Sequence, residues 1–118
     1  MQIKNANLIE QEVSNFWGQF LKKFNNKGPR NVRVKLADDI LVYFLEGLLT
    51  PVEKNILKSS NGKQIVYEGR RLHLENTKKM RITALEKVIG IKVIEEYVCW
   101  DVEKDTAVGV VILEKTTV

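Results

Sequence analysis

The sequence predicts a single α+β domain over residues 1–118, in which a four-stranded, mainly antiparallel sheet packs against helices. Three observations support this prediction. Apolar residues recur at intervals of three and four in two long segments, which is typical of amphipathic helices. Two other segments are short apolar runs joined by turn residues, which is typical of β-hairpins. The order is therefore helix, hairpin, helices, hairpin, and no linker divides the chain.

The first predicted helix covers residues 8–24. Its apolar stripe consists of Ile9, Val13, Phe16, Phe20 and Phe24, widened by Trp17 and Leu21. We expect the aromatic members of this stripe to lie in the core or in a dimer interface. Residues 25–29 end the helix, because asparagine and glycine form left-handed caps and proline cannot continue a helix.

Two strands follow the helix and are joined by a turn at Asp38 and Asp39. The first strand alternates apolar and basic residues, so one of its faces is dry and the other is wet. The second strand, residues 40–45, is apolar on both faces, which indicates a central strand covered on each side. Helices on one side of a four-stranded sheet leave the other side bare. We therefore expect either a returning helix or a partner subunit, and a homodimer is the simpler solution.

A capping box begins the second helix. Thr50 can cap the helix, Pro51 suits its first position and Glu53 completes the box. This helix is predicted to end near Lys58, before a turn and a long helix over residues 63–89. Looser periodicity at 74–79 allows a break or kink in the long helix. Its predicted core face consists of Ile65, Leu72, Met80, Ile82, Leu85 and Ile89.

The second hairpin is predicted from residues 91–102 and 108–113, joined by turn residues 103–106. One face of its first strand carries Val98, Trp100 and Val102, and the opposite face carries Tyr97, Cys99 and Asp101. The single cysteine excludes an internal disulfide and a multi-cysteine metal site. We expect Cys99 to be a buried, inert thiol.

Composition indicates a soluble, cytoplasmic protein. The apolar fraction of 44% and the charged fraction of 29% are ordinary globular values. The longest apolar run, residues 40–45, is far shorter than the roughly 20 residues that a membrane-spanning helix needs. Charges and amides interrupt the first residues, so the chain does not begin with a signal peptide.

Basic residues are concentrated in two clusters, although the formal net charge is only +4. The first cluster supplies the candidate binding site, which we call the basic surface: Lys27, Gly28, Pro29, Arg30, Arg33 and Lys35. Glycine lets backbone amides approach an anion, and the arginine fork matches phosphate or carboxylate. The cluster is not a P-loop, because the GxxxxGK[ST] pattern is absent and a strand follows. The alternative is a connection whose charges are merely solvated.

The second basic cluster lies along the long helix and consists of Arg70, Arg71, Lys78, Lys79 and Arg81. Helical neighbours are three or four residues apart, so Arg71 is expected to form a salt-bridged ladder with Glu68 and Glu75. We expect this cluster to be a solvated helix face. The alternative is a nucleic-acid-binding protein that uses both basic clusters, although only Tyr67 supplies an aromatic group nearby.

The sequence gives only a weak signal for catalytic residues. Asp38, Asp39 and Glu46 invite a carboxylate-pair interpretation, but adjacent aspartates between strands are typical turn formers. Cys99 as a nucleophile would need the only histidine, His73, and nothing in the spacing brings them together. We therefore expect a non-enzymatic protein with no catalytic residue, no metal and no cofactor.

Several pieces of the sequence form a distinctive pattern: Gly28-Pro29 with Arg33-Val34, the pair Asp38-Asp39, and Leu45-Glu46-Gly47 followed by Leu49-Thr50-Pro51 and Glu53-Lys54. By this pattern the chain resembles the bacterial MpsC family, which is named for a Na+-translocating membrane potential-generating system. The resemblance covers about residues 8–113. Members of the family are small soluble proteins of bacteria.

The resemblance implies an accessory or regulatory role, since the other components of such a system include a membrane transporter protein and a large soluble protein. From the residues and the resemblance together, we expect a cytoplasmic, homodimeric interaction module. Its basic surface would engage a small anion or an acidic partner, such as a component of the transport system. Nucleic-acid binding is the alternative function.

Overall fold

The computed structural model describes residues 5–115, which form seven elements. They are α1 (Ala6–Asn25), β1 (Asn31–Ala37), β2 (Ile40–Glu46), α2 (Pro51–Ile56), α3 (Gly62–Ile89), β3 (Val93–Asp101) and β4 (Thr106–Leu113). The predicted fold class and element order are confirmed.

The two hairpins join into one sheet with the strand order β1-β2-β4-β3. Every neighbouring pair is antiparallel, so β2 and β4 are the central strands and β1 and β3 are the edges. A register irregularity between Val93 and Glu95 adds one residue to β3, as in a β-bulge. The pairing of β2 with β4 therefore makes a single layer from two hairpins that are distant in sequence.

The ends of the helices follow the predicted capping chemistry. The Asn5 side chain accepts a hydrogen bond from the Leu8 amide at the start of α1, and Asn26 ends α1 in the left-handed region. The Thr50–Glu53 capping box is present at α2. Gly90 ends α3 with a φ of 79°. Helix α3 runs from Gly62 to Ile89 as one α-helix, so the looser periodicity at 74–79 does not interrupt it.

Helices α1 and α3 cover one face of the sheet, and the main core lies between them and that face. Alternate residues of the central strands point into this core: Leu41, Tyr43 and Leu45 from β2, and Ala107, Val111 and Leu113 from β4. Trp17 and Phe20 of α1 are buried there, as expected for its aromatic stripe. The Tyr43 ring lies over Gly109, the residue paired with it on β4.

The predicted core face of α3 is partly wrong. Ile65, Leu72 and Met80 are exposed, whereas Arg70 and Arg81 are buried beside the sheet. The apolar pattern misled the prediction because the two arginines are neutralised inside the protein by carboxylates from other elements. Leu85 and Ile89 do lie in the core, as predicted.

The opposite face of the sheet, which we call the outer sheet face, is covered by none of the described helices. Its centre is apolar and consists of Ile40, Val42 and Phe44 from β2 and Val108, Val110 and Ile112 from β4. The prediction that β2 is central is confirmed, but in the single chain only one of its faces is covered. Cys99 lies on the outer sheet face of an edge strand and is exposed, so the prediction of a buried thiol is wrong.

Candidate functional site

The loop part of the basic surface is tied to the protein by its own polar groups. The Lys27 ammonium donates a 2.8 Å hydrogen bond to the carbonyl of Leu49, so part of its charge holds the loop in place. A Cβ added at Gly28 would come no closer than 3.7 Å to its nearest neighbour, so packing does not require glycine there. Pro29 is half-buried.

Arg30 is the most accessible cation of this loop. Its side chain is 68% exposed, and one guanidinium nitrogen lies 3.4 Å from the Glu46 carboxylate. The side-chain amide nitrogen of Asn31 donates a 3.0 Å hydrogen bond to the same carboxylate. This bond, together with the charge of Arg30, holds the pKa of Glu46 below its usual value. Because the Arg30–Glu46 pair is solvent-exposed, it contributes little to stability and leaves Arg30 free to exchange partners.

Arg33 and Lys35 occupy a different position, on the outer sheet face of β1. The Arg33 guanidinium lies 5.6 Å from the centre of the Phe44 ring on the neighbouring strand. Strand alternation sends these two side chains away from the core, whereas Lys27 and Arg30 lie in the loop before the strand. The structure therefore divides the predicted basic surface into a loop part and a sheet part.

The outer sheet face has an ordered arrangement of chemistry across its four strands. One row of paired residues runs from Arg33 through Phe44 and Val108 to Cys99. The next row runs from Lys35 through Val42 and Val110 to Tyr97, and Asp101 lies near the end of β3. The face thus carries two cations at the β1 edge, apolar residues in the centre and the carboxylates of Glu95 and Asp101 at the β3 edge, with Glu46 at one end of β2.

Several apolar side chains in this arrangement remain in contact with solvent. Val42 is 36% exposed, Val108 is 39% exposed and Tyr97 is 64% exposed. Single exposed apolar residues are normal, but a contiguous apolar patch with polar edges is typical of an interaction site. The sequence predicted the apolar character of β2, but not that β4 lies beside it and enlarges the patch.

The second basic cluster is only in part the solvated helix face that the sequence predicts, because Arg70 and Arg81 are buried whereas Arg71 and Lys79 are exposed. Arg70 donates hydrogen bonds of 2.6 and 2.7 Å to the Glu53 carboxylate and one of 2.6 Å to the Leu48 carbonyl. Its guanidinium lies 5.0 Å from the centre of the Trp100 ring. Arg71 does form the predicted ladder with Glu68 and Glu75.

Arg81 is the other buried member of this cluster. It donates hydrogen bonds of 2.6–3.1 Å to the Glu96 carboxylate, which also accepts a 2.9 Å hydrogen bond from the Tyr43 hydroxyl. Burial, followed by the negative charge of Glu96, raises the pKa of Tyr43 well above its usual value. Arg70 and Arg81 are therefore structural residues. They are unavailable for the nucleic-acid surface that was the alternative function.

A small cavity of about 40 Å³ lies beside these buried groups and is lined by Trp17, Arg70, His73 and Trp100, among others. It has room for a few water molecules at most. With the Asn25 amide oriented to satisfy both of its ends, its nitrogen donates to His73 Nε2 at 3.0 Å and its oxygen accepts from Arg70 at 2.8 Å. Burial, helped by the nearby charge of Arg70, lowers the pKa of His73 below its usual value.

The candidate catalytic groups are not brought together. His73 faces the interior beside α1, whereas Cys99 lies on the outer sheet face, so the sheet separates them. Asp38 and Asp39 form the turn before β2 and Glu46 ends that strand, so these carboxylates lie at opposite ends of it. Within residues 5–115, no group of three or more His, Cys, Asp or Glu side chains is placed to hold a metal ion.

The Glu53 carboxylate is expected to make a pH-dependent contribution to the free energy of unfolding. Burial alone would raise its pKa, but hydrogen bonds from Arg70 and Thr50 outweigh burial and hold the pKa below the usual 4.5. A lowered folded-state pKa gives stability that is present above pH 4.5 and is lost as the pH falls through the folded-state value. We expect Glu53→Gln to flatten this acid-side loss of stability in urea unfolding followed at several pH values.

Glu75→Gln is the matched control for that measurement. It also removes one carboxylate, but its partner Arg71 is exposed to solvent, so its stability profile should follow the parent chain closely. Equal acid-side slopes in the parent chain and Glu53→Gln would contradict the role assigned to Glu53.

Comparison with known proteins identifies the family. Residues 5–115 match the model of the family described as Na+-translocating membrane potential-generating system (MpsC), so the chain belongs to this family. No curated protein and no solved structure matches the chain. No helix within residues 5–115 combines the length and the apolar character needed to cross a membrane.

Proposed function

We propose that this MpsC family member is a non-enzymatic accessory module of a Na+-translocating membrane potential-generating system and that it acts in the cytoplasm as a homodimer. The family description supports the link to such a system. The observation that supports a dimer is the exposed apolar centre of the outer sheet face. A second copy is a suitable occupant because the face carries basic, apolar and acidic zones that can complement the same zones on an identical surface.

The central strands supply the apolar surface whose burial would stabilise the dimer. Ile40, Val42, Phe44 and their neighbours on β4 present branched and aromatic side chains to water, which favours removal of this surface from solvent. Packing two such sheets face to face places them about 10 Å apart, as in a β-sandwich. The helices on the inner face of each sheet would then lie on the outside of the dimer.

The loop part of the basic surface is the proposed binding site for an acidic partner. Lys27 and Arg30 lie before β1 rather than on the outer sheet face, so a dimer leaves them at its periphery. Arg30 offers a planar fork that matches a carboxylate, and its present partner Glu46 holds it only through an exposed contact of 3.4 Å. We assign this loop to an acidic component of the same system.

Lysine substitution at the centre of the outer sheet face tests the dimer. We expect Val42→Lys combined with Val108→Lys to weaken self-association by at least about 100-fold. The free-energy cost of burying unpaired charges in the interface exceeds the ~3 kcal/mol to which this factor corresponds. Sedimentation velocity over a concentration series measures the change. Both side chains are already partly exposed in the single chain, so circular dichroism should show an unchanged fold.

Val52→Lys is the matched control for this pair. Val52 is exposed on α2, away from the outer sheet face, so its substitution should leave the dimer intact. A Val42→Lys, Val108→Lys chain that self-associates as tightly as the parent would exclude the outer sheet face as the interface.

Removal of Arg30 tests the basic loop. We expect Arg30→Ala to weaken binding of a polyglutamate peptide, used as a model acidic partner, by about threefold to tenfold, in line with loss of one charge-assisted contact. The melting temperature should change little because the side chain is exposed. Lys58→Ala removes an equal charge from an exposed site beyond α2. Equal binding by the two variants would contradict a specific role for the loop.

A further inference from the structure

We propose that the two-fold axis of the homodimer runs parallel to the strands, so that β1 of one subunit lies over β3 of the partner subunit. This inference rests on the proposed homodimer and adds the orientation of the two copies and the residues that select it. Two copies that meet through the same sheet face have two aligned packings, with the axis either along the strands or across them.

The apolar centre does not choose between these packings. With the axis along the strands, β2 faces β4 of the partner subunit, and with the axis across the strands each central strand faces its own copy. Both central strands carry apolar residues of similar size on this face, from Ile40 to Phe44 and from Val108 to Ile112. Hydrophobic burial is therefore nearly equal in the two arrangements, and the edges decide.

The β1 edge is basic on the outer sheet face. Its paired positions carry Arg33 and Lys35, flanked by the uncharged Asn31 and Ala37, and no acidic side chain. An axis across the strands would place this edge against itself and bring four cations together, two from each subunit. Like charges opposed at an interface repel each other strongly and suppress that arrangement.

The β3 edge supplies the complement. Its outer positions carry Glu95, Tyr97, Cys99 and Asp101 and no basic side chain, and of the two carboxylates Glu95 is already paired with Lys78 of α3 at 2.7 Å. One Asp101 oxygen accepts a 3.0 Å hydrogen bond from the Lys104 amide, which leaves the other oxygen able to accept from a cation. The ring of Tyr97, 64% exposed, offers a face on which an arginine or lysine can stack. An axis along the strands brings both groups over the β1 edge of the partner subunit.

The axis also fixes which residues meet. Arg33 and Cys99 occupy the two ends of one row of paired residues. Rotation about an axis along the strands keeps each row at its level, so Arg33 lies over Cys99 of the partner subunit. The crossing angle of about 30° between packed sheets shifts this match by about one residue. Rotation about the other axis instead brings Cys99 toward Cys99 of the partner subunit.

Cysteine cross-linking separates the two axes. We expect Arg33→Cys to form a covalent dimer with a short bismaleimide, through Cys99 of the partner subunit, in much higher yield than the parent chain. Adding Cys99→Ser to this variant should abolish the product. Ala37→Cys is the positional control, since it lies on the same strand and face but about 13 Å farther along β1. Its yield should stay near that of the parent.

Sedimentation of each cysteine variant under the same conditions separates failure of this inference from failure of the proposed function. A parent chain that is monomeric overturns the homodimer itself. If the variants are dimeric, efficient Cys99-to-Cys99 cross-linking in the parent overturns the axis along the strands. Lys35 keeps the β1 edge basic in Arg33→Cys, so a dimeric Arg33→Cys chain that cross-links no better than Ala37→Cys overturns it as well.

Discussion

Replacement of Arg81 by methionine is expected to lower the free energy of unfolding by about 3–5 kcal/mol, the usual cost of breaking a buried ion pair from one side. Arg81 is 2% exposed and its partner Glu96 is 4% exposed. Methionine fills much of the arginine volume, so the loss comes mainly from the uncompensated Glu96 carboxylate. The Tyr43 hydroxyl alone cannot replace the three charge-assisted hydrogen bonds that Arg81 donates. Urea unfolding at a fixed protein concentration measures the change.

Two further variants isolate this cause. Arg71→Met removes an arginine from the same helix, but the Arg71 ladder is exposed, so its effect should stay within about 0.5 kcal/mol of the parent. Combining Arg81→Met with Glu96→Leu removes the buried charge altogether and should recover part of the lost stability. Equal losses for Arg81→Met and Arg71→Met would contradict the buried ion pair.

A methyl group at Gly109 is expected to cost about 3 kcal/mol or more, at the upper end of the cost of overpacking. A Cβ built at this position would overlap the Tyr43 ring, which lies across the glycine on the paired strand. The ring cannot move away freely because its hydroxyl is bonded to Glu96 within the Arg81 network. Thermal or urea unfolding of Gly109→Ala measures the effect.

Gly18→Ala is the corresponding control on α1. A Cβ at Gly18 meets no atom within 4 Å, so alanine should be neutral or should stabilise the helix by up to about 1 kcal/mol. A Gly109→Ala chain as stable as the parent would show that Tyr43 packs elsewhere, and the account of the buried network would be wrong.

Local chemistry predicted the elements well. The Thr50–Glu53 box, the glycine at position 90 and the alternation in β1 depend on neighbours within a few residues, so the sequence contains the whole signal. The orientation of α3 was harder. Arg70 and Arg81 find their carboxylates 17 and 15 residues away in sequence, on α2 and β3. Only the tertiary fold reveals that these arginines point inward.

The candidate site was predictable in part. The basic surface is visible as a charge cluster, but its division into a loop part and a sheet part depends on where β1 begins. The sequence wrongly predicts that Cys99 is buried, because an apolar run does not reveal whether its strand is central or at an edge. The extent of the outer sheet face depends on the pairing of β2 with β4, which lie about 65 residues apart in sequence.

In the proposed homodimer, the outer sheet face joins two copies of this chain. Sedimentation equilibrium of the unmodified protein tests it most directly. We expect a molar mass of twice the 13.6 kDa of one chain, with dissociation only on dilution. A mass of one chain at every concentration would contradict it.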